Sequence, residues 1–189
     1  MNFKKYWDSA LPINQYLKNL LQSIKREDEP KDQYIPINKQ RVKRLLNNFK
    51  LNPEVESAAL NIKFNARWLI INENWCGDGA QILPVQDAIA RASNGKIEAR
   101  VLLREENLDL MDQFLTNGSR SIPKTIMLSE DFQLLDSLGS RPSEANSLVK
   151  RIKSDPTIAH SYNEKLHKWY AKDKQQAIQT EILRYLISK

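Results

Sequence analysis

The sequence predicts an α/β fold in which a central mixed sheet is flanked by helices. Two observations favour this class. An apolar run over 67–72, an amphipathic helix over 77–92 and an alternating strand over 97–103 make a β-α-β unit, which implies parallel strands and a right-handed crossover. Two further strands, over 125–128 and 132–138, are separated by a short polar turn and predict an antiparallel hairpin.

The remaining elements of the central part, residues 66–155, complete this order. The first strand is apolar along most of its length, which is typical of a strand buried on both faces. The dipeptide Asn94-Gly95 ends the first helix. A short helix over 108–115 precedes the hairpin, and a helix over 141–152 follows it. The predicted order is therefore β-α-β-α-β-β-α.

Residues 1–65 predict an N-terminal helical extension. Apolar residues recur roughly at helical spacing between Tyr6 and Ile24. We expect a second helix to begin at Asn38, since asparagine is a common N-cap, and a third to begin after Asn52, with Pro53 in the first helical position.

Residues 156–189 predict a C-terminal amphipathic helix, continuous from about 160 to 188. Tyr162, Leu166 and Trp169 share one face of its first half, and Ile178 and Ile182 share a face of its second half. We expect this helix to pack against the N-terminal extension in a monomer. A homodimer interface through the terminal helices is the alternative.

Composition and charge narrow the classes of function. No apolar stretch approaches the about 20 residues that a membrane-spanning helix needs, and no apolar signal core follows the N-terminus. We therefore expect a cytoplasmic protein with no membrane partner. The net charge is +6, with basic flanks around an acidic centre. Because the basic residues are scattered along amphipathic helices, we interpret them as solvated surface charges and do not expect a nucleic-acid partner.

The chain has one cysteine, Cys76, and two histidines, His160 and His167. A single cysteine excludes an intramolecular disulfide and suits a reducing compartment. The two histidines are far from Cys76 in sequence and, at seven residues apart, share a helical face, so we interpret them as surface or packing residues. We expect neither a metal site nor a cofactor.

Three local features carry a resemblance to a known family. Trp75-Cys76-Gly77 directly follows a buried strand and opens a helix, Pro84 lies eight residues after Cys76, and Ile122-Pro123 immediately precedes the hairpin. In this order, over about residues 66–153, they resemble the thioredoxin superfamily. The resemblance implies a thioredoxin-like fold and a cis peptide bond at Pro123, facing Cys76.

The whole chain is also similar to a group of bacterial thioredoxin-like proteins with a Trp-Cys-Gly-Asp corner. Here that corner is followed by Gly79-Ala80-Gln81, and the segments 111–123 and 167–170 match the same group. This narrower resemblance indicates a fold more than a function.

The resemblance implies a reactive position at Cys76, where the unpaired N–H groups of a helix N-terminus favour the thiolate. Two departures from the thioredoxin pattern argue against dithiol exchange. Gly79 stands where a thioredoxin has its second cysteine, and Ile70 stands where it has a buried aspartate. Without the second cysteine, a mixed disulfide cannot be released within the chain.

Asp78 has two interpretations. It is either an acidic residue in the first helical turn, stabilised by the helix dipole, or a proton acceptor or hydrogen-bond partner of Cys76. A nearby carboxylate raises the pKa of a thiol while a helix end lowers it, so the net direction is open. We take Cys76 and Asp78 as the candidate catalytic residues. The candidate substrate-binding residues surround them: Trp75, Gly77, Gly79, Arg120, Ile122 and Pro123.

Two functions remain open. In the first, Cys76 performs monothiol exchange with a protein or a low-molecular-weight thiol, for example by removing a glutathione-like adduct. Arg120 would then offer a cation to a carboxylate-bearing thiol. In the second, the corner is a redox-inactive module that binds a peptide or protein. The pH dependence of Cys76 alkylation separates the two.

Overall fold

The structure is a computed structural model and describes residues 1–188. One mixed five-stranded sheet has the strand order β1-β3-β2-β4-β5. The central strand β2 (Ala66–Asn72) runs parallel to β3 (Ile97–Leu103) and antiparallel to β4 (Lys124–Ser129). The edges are β1 (Leu11–Pro12), antiparallel to β3, and β5 (Leu134–Gly139), antiparallel to β4. The central β-α-β unit and the hairpin are therefore as predicted.

Helices cover both faces of this sheet. In chain order they are α1 (Phe3–Ser9), α2 (Ile13–Gln22), α3 (Ile35–Asn48), α4 (Pro53–Leu60), α5 (Gly79–Ala92), α6 (Leu108–Met111), α7 (Ser143–Lys153), α8 (Tyr162–Asp173) and α9 (Gln176–Ile187). Short 3-10 helices occupy Pro30–Tyr34 and Ala159–Ser161. The helix α6 is shorter than the predicted 108–115.

The central strand is buried on both faces, as its apolar run predicts. Trp68 and Ile70 belong to one hydrophobic cluster, and Leu69 and Ile71 belong to another. None of these four side chains is exposed. The first cluster joins this face of the sheet to α2, α4, α5 and α9, so the terminal helices and the sheet share one core.

The N-terminal region contains a strand that helical spacing did not predict. The chain leaves α1 and becomes extended at Ala10, and Leu11 pairs with Val101 of β3. Pro12 then pairs with Arg100 at the sheet edge. Proline has no N–H to donate, so it is tolerated on an edge strand and not in the middle of a helix.

The helix α3 begins at Ile35, one turn before the predicted Asn38 cap. Asn38 is instead fully buried inside the helix, where its Nδ2 donates to the carbonyl of Asn74 at 3.0 Å. The tertiary contact with that loop therefore overrides the local capping preference.

The predicted continuous C-terminal helix is wrong, because the chain breaks between α8 and α9. Lys174 and Gln175 both have left-handed backbone conformations, with φ of 51° and 63°. Gln175 is 4% exposed, and its Nε2 donates to Oε1 of Gln81 in α5 at 3.2 Å. The break allows α8 to pack on α7 while α9 packs on α4 and α5.

Candidate functional site

Cys76 lies in the loop between β2 and α5 and is 6% exposed. Its thiol donates to the carbonyl of Ile122 at 3.4 Å, and its sulfur accepts the backbone N–H of Gly79 at 3.3 Å. The Ile122-Pro123 peptide bond is cis, as the resemblance implies. The thiol is therefore enclosed between the N-terminus of α5 and this loop.

The surroundings of Cys76 favour the protonated thiol. Burial, followed by the negative charge of Asp78, raises the pKa of Cys76 to about 12. The backbone N–H groups of Gly79 and Asp78 and the charge of Arg141 act in the opposite direction but are weaker. Of the two opposing effects that the sequence left open, the one that raises the pKa is the stronger in the folded chain.

Asp78 is buried and both of its carboxylate oxygens have partners. Arg141 donates to Oδ2 from Nε at 3.0 Å and from Nη2 at 2.5 Å. The hydroxyl of Tyr170 donates to Oδ1 at 2.7 Å. The carboxylate is thus clamped by α8 and by the segment before α7, and it acts on Cys76 through its charge. Sequence reasoning did not find Arg141 or Tyr170, because no local pattern marks them as partners of Asp78.

The position of the missing second cysteine is filled by a neighbouring side chain. A Cβ atom at Gly79 would lie 2.2 Å from Oδ1 of Asn72, at the end of β2. Asn72 is fully buried and donates to the hydroxyl of Tyr16 at 3.1 Å. Gly79 is therefore required by close packing, and a side chain there needs Asn72 to move.

Trp75 and Arg120 flank the corner, and both already have partners within the described chain. The Trp75 ring has the guanidinium of Arg104 4.9 Å and the ammonium of Lys31 4.7 Å from its centroid. Arg120 donates to both oxygens of Asp112, at 2.6 and 2.8 Å, and this exposed pair neutralises it. Such cation-π contacts hold the tryptophan ring in one orientation beside the thiol.

A cavity of about 320 Å³ opens beside Cys76. The corner, the Ile122 loop and residues of α3 and α8 line it. Above Gly77, a Cβ atom would lie 2.7 Å from His167 Nε2 and 3.3 Å from Arg41 Nη1. The sequence placed His167 among surface or packing residues. It gave no signal for Arg41, and the only hint for α8 was the resemblance of segment 167–170.

His167 is held neutral at the cavity. Burial, and then the charge of Arg41, lowers the pKa of His167 to about 4. Gln81 Nε2 lies 3.4 Å from His167 Nδ1, and Gln81 is oriented in turn by Gln175. An amide nitrogen donates, so Nδ1 accepts and the proton of the neutral ring is on Nε2, the atom above Gly77.

The described part of the chain shows neither a metal-ligating cluster nor a membrane-spanning helix. Within residues 1–188, no three His, Cys, Asp or Glu side chains are grouped so that they could hold a metal ion. The helices of this same part of the chain are all too short or too polar to span a bilayer.

Comparisons with known proteins show which family this chain is similar to. A family model described as "Thioredoxin" matches residues 14–154. Among curated proteins, none matches the sequence. The solved structure of a protein of unknown function from Pseudomonas aeruginosa is similar, with a TM-score of 0.68 and 19% identity, covering 100% of this chain and 98% of that one.

The crystal structure of an HIV epitope-scaffold is also similar, with a TM-score of 0.67 and 17% identity, again covering 100% of this chain and 98% of that one. At these identities the two structures bear on the fold alone. The fold is thioredoxin-like, and the family match extends over more than half of the chain. The chain belongs to the thioredoxin family.

Proposed function

We propose that the chain is a thioredoxin-fold binding protein that takes a peptide segment or a small thiol in the cavity beside Cys76. In this proposal Cys76 stays a protonated thiol that donates its hydrogen bond to the carbonyl of Ile122, and it does not perform the redox chemistry of dithiol relatives. The single unpaired cysteine suits a reducing compartment such as the cytoplasm.

The enclosure of the Cys76 thiol carries the proposal. The sulfur is buried, is hydrogen-bonded to Ile122 and lies close to the charge of Asp78. The thiolate is the form that attacks disulfides, and a pKa near 12 leaves a very small thiolate fraction at neutral pH. A protein built for thiol exchange needs the opposite arrangement, in which cations and free N–H groups stabilise the anion.

The backbone beside Cys76 supports binding of an extended segment. The N–H of Ile122 makes no hydrogen bond within residues 1–188, and Ile122 lines the cavity. A free backbone donor next to a sheet is the group that strand addition uses. The partner would therefore lie along the Ile122 loop, with its side chains facing the cavity walls.

The rate of Cys76 alkylation by iodoacetamide, measured from pH 6 to 11, tests this proposal. We expect slow alkylation at neutral pH, with a rate still rising above the pH of about 8.5 where a free thiol titrates. Free cysteine serves as the reference thiol. A midpoint at or below that of free cysteine would overturn the proposal.

Partner capture provides a second test. Cys76→Ala removes the sulfur and leaves the cavity walls in place, so we expect the variant to retain the partners of the wild-type chain. Loss of those partners, and their release from wild-type chain by a reductant, would instead indicate a covalent attachment.

Monothiol exchange is the second candidate, and one observation favours it. Cys76 is the only cysteine, lines the cavity and accepts the N–H of Gly79 at the start of α5. In this reaction the Cys76 thiolate attacks a disulfide and forms a mixed disulfide, and the leaving thiolate takes up a proton. An external thiol such as glutathione then reduces the mixed disulfide. Incubation with oxidised glutathione at neutral pH, followed by intact-mass measurement, detects the adduct that this candidate requires.

A further inference from the structure

The cavity beside Cys76 has an excess of positive charge. Within the described residues, four arginines and one acid line it, and three of the arginines have acidic partners. These pairs are Arg104–Glu105, Arg120–Asp112 and Arg141–Asp78. Arg41 forms no ion pair in this part of the chain, so one positive charge lacks a counterion.

Arg41 is held in place from the side of the corner loop. Its Nη1 donates to Oδ1 of Asn38 at 2.8 Å, and Nδ2 of Asn38 donates to the carbonyl of Asn74 at 3.0 Å. Because Asn38 is fully buried, these two hydrogen bonds fix the guanidinium relative to the loop that carries Cys76. Arg41 is therefore oriented before any ligand arrives.

A second donor lies beside Arg41. Above Gly77, the site of a hypothetical Cβ atom is 3.3 Å from Arg41 Nη1 and 2.7 Å from His167 Nε2. The contact between Gln81 and Nδ1 leaves the proton of the neutral ring on Nε2. Two N–H donors from different helices therefore lie close together where both side chains pack against Gly77 and line the cavity.

An unpaired cation that is partly removed from water is unfavourable unless a partner compensates it. Burial lowers the pKa of Arg41, which shows that the guanidinium has lost part of its solvation. The positive charge of Arg44 on the same helix adds to this effect, and the negative charge of Asp78, which is already paired with Arg141, opposes it. An anion in the cavity would supply the missing counterion.

We propose that Arg41 and His167 form a subsite in the cavity beside Gly77 for the carboxylate of a ligand, an inference that rests on the proposed binding function. A carboxylate carries one charge, which equals the single unbalanced charge of the cavity, and its two oxygens suit a guanidinium and a neighbouring N–H. The cavity of about 320 Å³ is at the small end of ligand pockets. The carboxylate comes either from a small molecule or from the C-terminus of a short peptide.

A matched pair of peptides tests the subsite. N-acetyl-trialanine with a free carboxylate and the same peptide as its C-terminal amide differ only in the charged group. We titrate each into the ¹⁵N-labelled chain and follow the side-chain N–H signal of Arg41 and the ring signals of His167. We expect the acid to bind at least about tenfold more tightly than the amide, which corresponds to about 1.4 kcal/mol.

Variants of α3 provide the control. Arg41→Gln should abolish the preference for the acid, whereas Arg44→Gln, an exposed position on the same helix, removes the same charge and should preserve it. If Arg41→Gln does not fold, Arg41→Lys provides the test. Lysine retains the charge but cannot bind a carboxylate in a bidentate manner, so this variant should retain only part of the preference for the acid. An equal effect of the Arg41 and Arg44 variants would overturn the subsite.

The protonation of His167 gives an independent readout. Its pKa depends on burial, on the cations Arg41 and Arg141 and on the anion Asp78. A carboxylate bound beside Nε2 adds a negative charge, so the pKa of His167 should rise when the acid is bound and stay unchanged with the amide. An unchanged pKa in the presence of bound acid would overturn the subsite.

The remaining outcomes separate the subsite from the proposed function. Equal binding of acid and amide would overturn the subsite and leave the binding function standing. Shifts of Arg41 and His167 with acetate, without binding of either peptide, would support the subsite and identify a small molecule as the source. Tighter binding of phosphate than of acetate, or no shift with any probe up to about 10 mM, would overturn it. The pH dependence of Cys76 alkylation tests the proposed function separately.

Discussion

Neutralising Asp78 should make the Cys76 thiol more acidic, and removing Arg141 should make it less acidic. The charge of Asp78 is the second-largest cause of the raised pKa of Cys76, after burial, whereas the charge of Arg141 lowers that pKa. Asp78→Asn keeps the shape of the side chain and its contact with Tyr170, and it leaves Arg141 without a counter-charge. Both consequences favour the thiolate.

The size of the effect follows from the proximity of these charges. A charge close to a titrating group shifts its pKa by about 1–3. Starting from a pKa of about 12, Asp78→Asn should bring Cys76 to between about 9 and 11. Well below the pKa, the thiolate fraction rises about tenfold for each pH unit by which the pKa falls, so alkylation at neutral pH should become about 10- to 1000-fold faster.

Iodoacetamide alkylation over a pH series measures this change by intact mass. Asp112→Asn is the matched control, because it removes an exposed acid that does not line the cavity and that pairs with exposed Arg120. Urea denaturation of each variant comes first, since breaking an ion pair between buried Asp78 and half-buried Arg141 costs up to about 3–5 kcal/mol of unfolding free energy. Equal alkylation rates for folded Asp78→Asn and Asp112→Asn, or slower alkylation of Asp78→Asn than of wild type, would refute the reasoning.

Three further predictions concern the same region. Tyr170→Phe removes a buried hydroxyl that donates to a carboxylate, and it should lower the unfolding free energy in urea by about 1.5–3 kcal/mol; an unchanged value would mean that this hydrogen bond does not stabilise the fold. Gly79→Cys should destabilise the chain and form no intramolecular disulfide, because Asn72 fills the space, whereas adding Asn72→Ala should allow the disulfide under oxidation, as thiol titration would report. His167 has a folded-state pKa of about 4, below the ordinary value of about 6.5. Above about pH 6.5 the ring is neutral in both states, but as the pH falls towards 4 only the unfolded chain takes up the proton. The unfolding free energy should therefore fall by about 2–3 kcal/mol over this range, and His167→Gln should lack this part of the fall; identical pH profiles would contradict the assignment.

Local patterns predicted the fold well where one residue's environment depends mainly on its neighbours in sequence. The run Trp68 to Ile71 is apolar because both faces of β2 are covered, and its buried state could be predicted from composition alone. The strand at Leu11 and the break at Gln175 could not, since each depends on a partner about 90 residues away in sequence.

The candidate site also has features that the sequence predicts and features that it does not. Cys76 and Gly79 could be located from short motifs in the sequence, and the cis bond at Pro123 was implied by the family resemblance that those motifs carry. What Asp78 does to the thiol could not be predicted, since two local effects oppose each other and the outcome depends on burial and on Arg141.

The sequence by itself determined the order of the central elements, the position of the only thiol and the absence of a resolving cysteine. Those features depend on residue identity and short-range periodicity, which a sequence states directly. Tertiary structure alone decided that α3 and α8 lie beside the corner, that Asp78 is paired with Arg141 and Tyr170, and that burial and the charge of Asp78 raise the pKa of the thiol. Burial and electrostatics depend on distances between groups far apart in the chain, and only folding sets those distances.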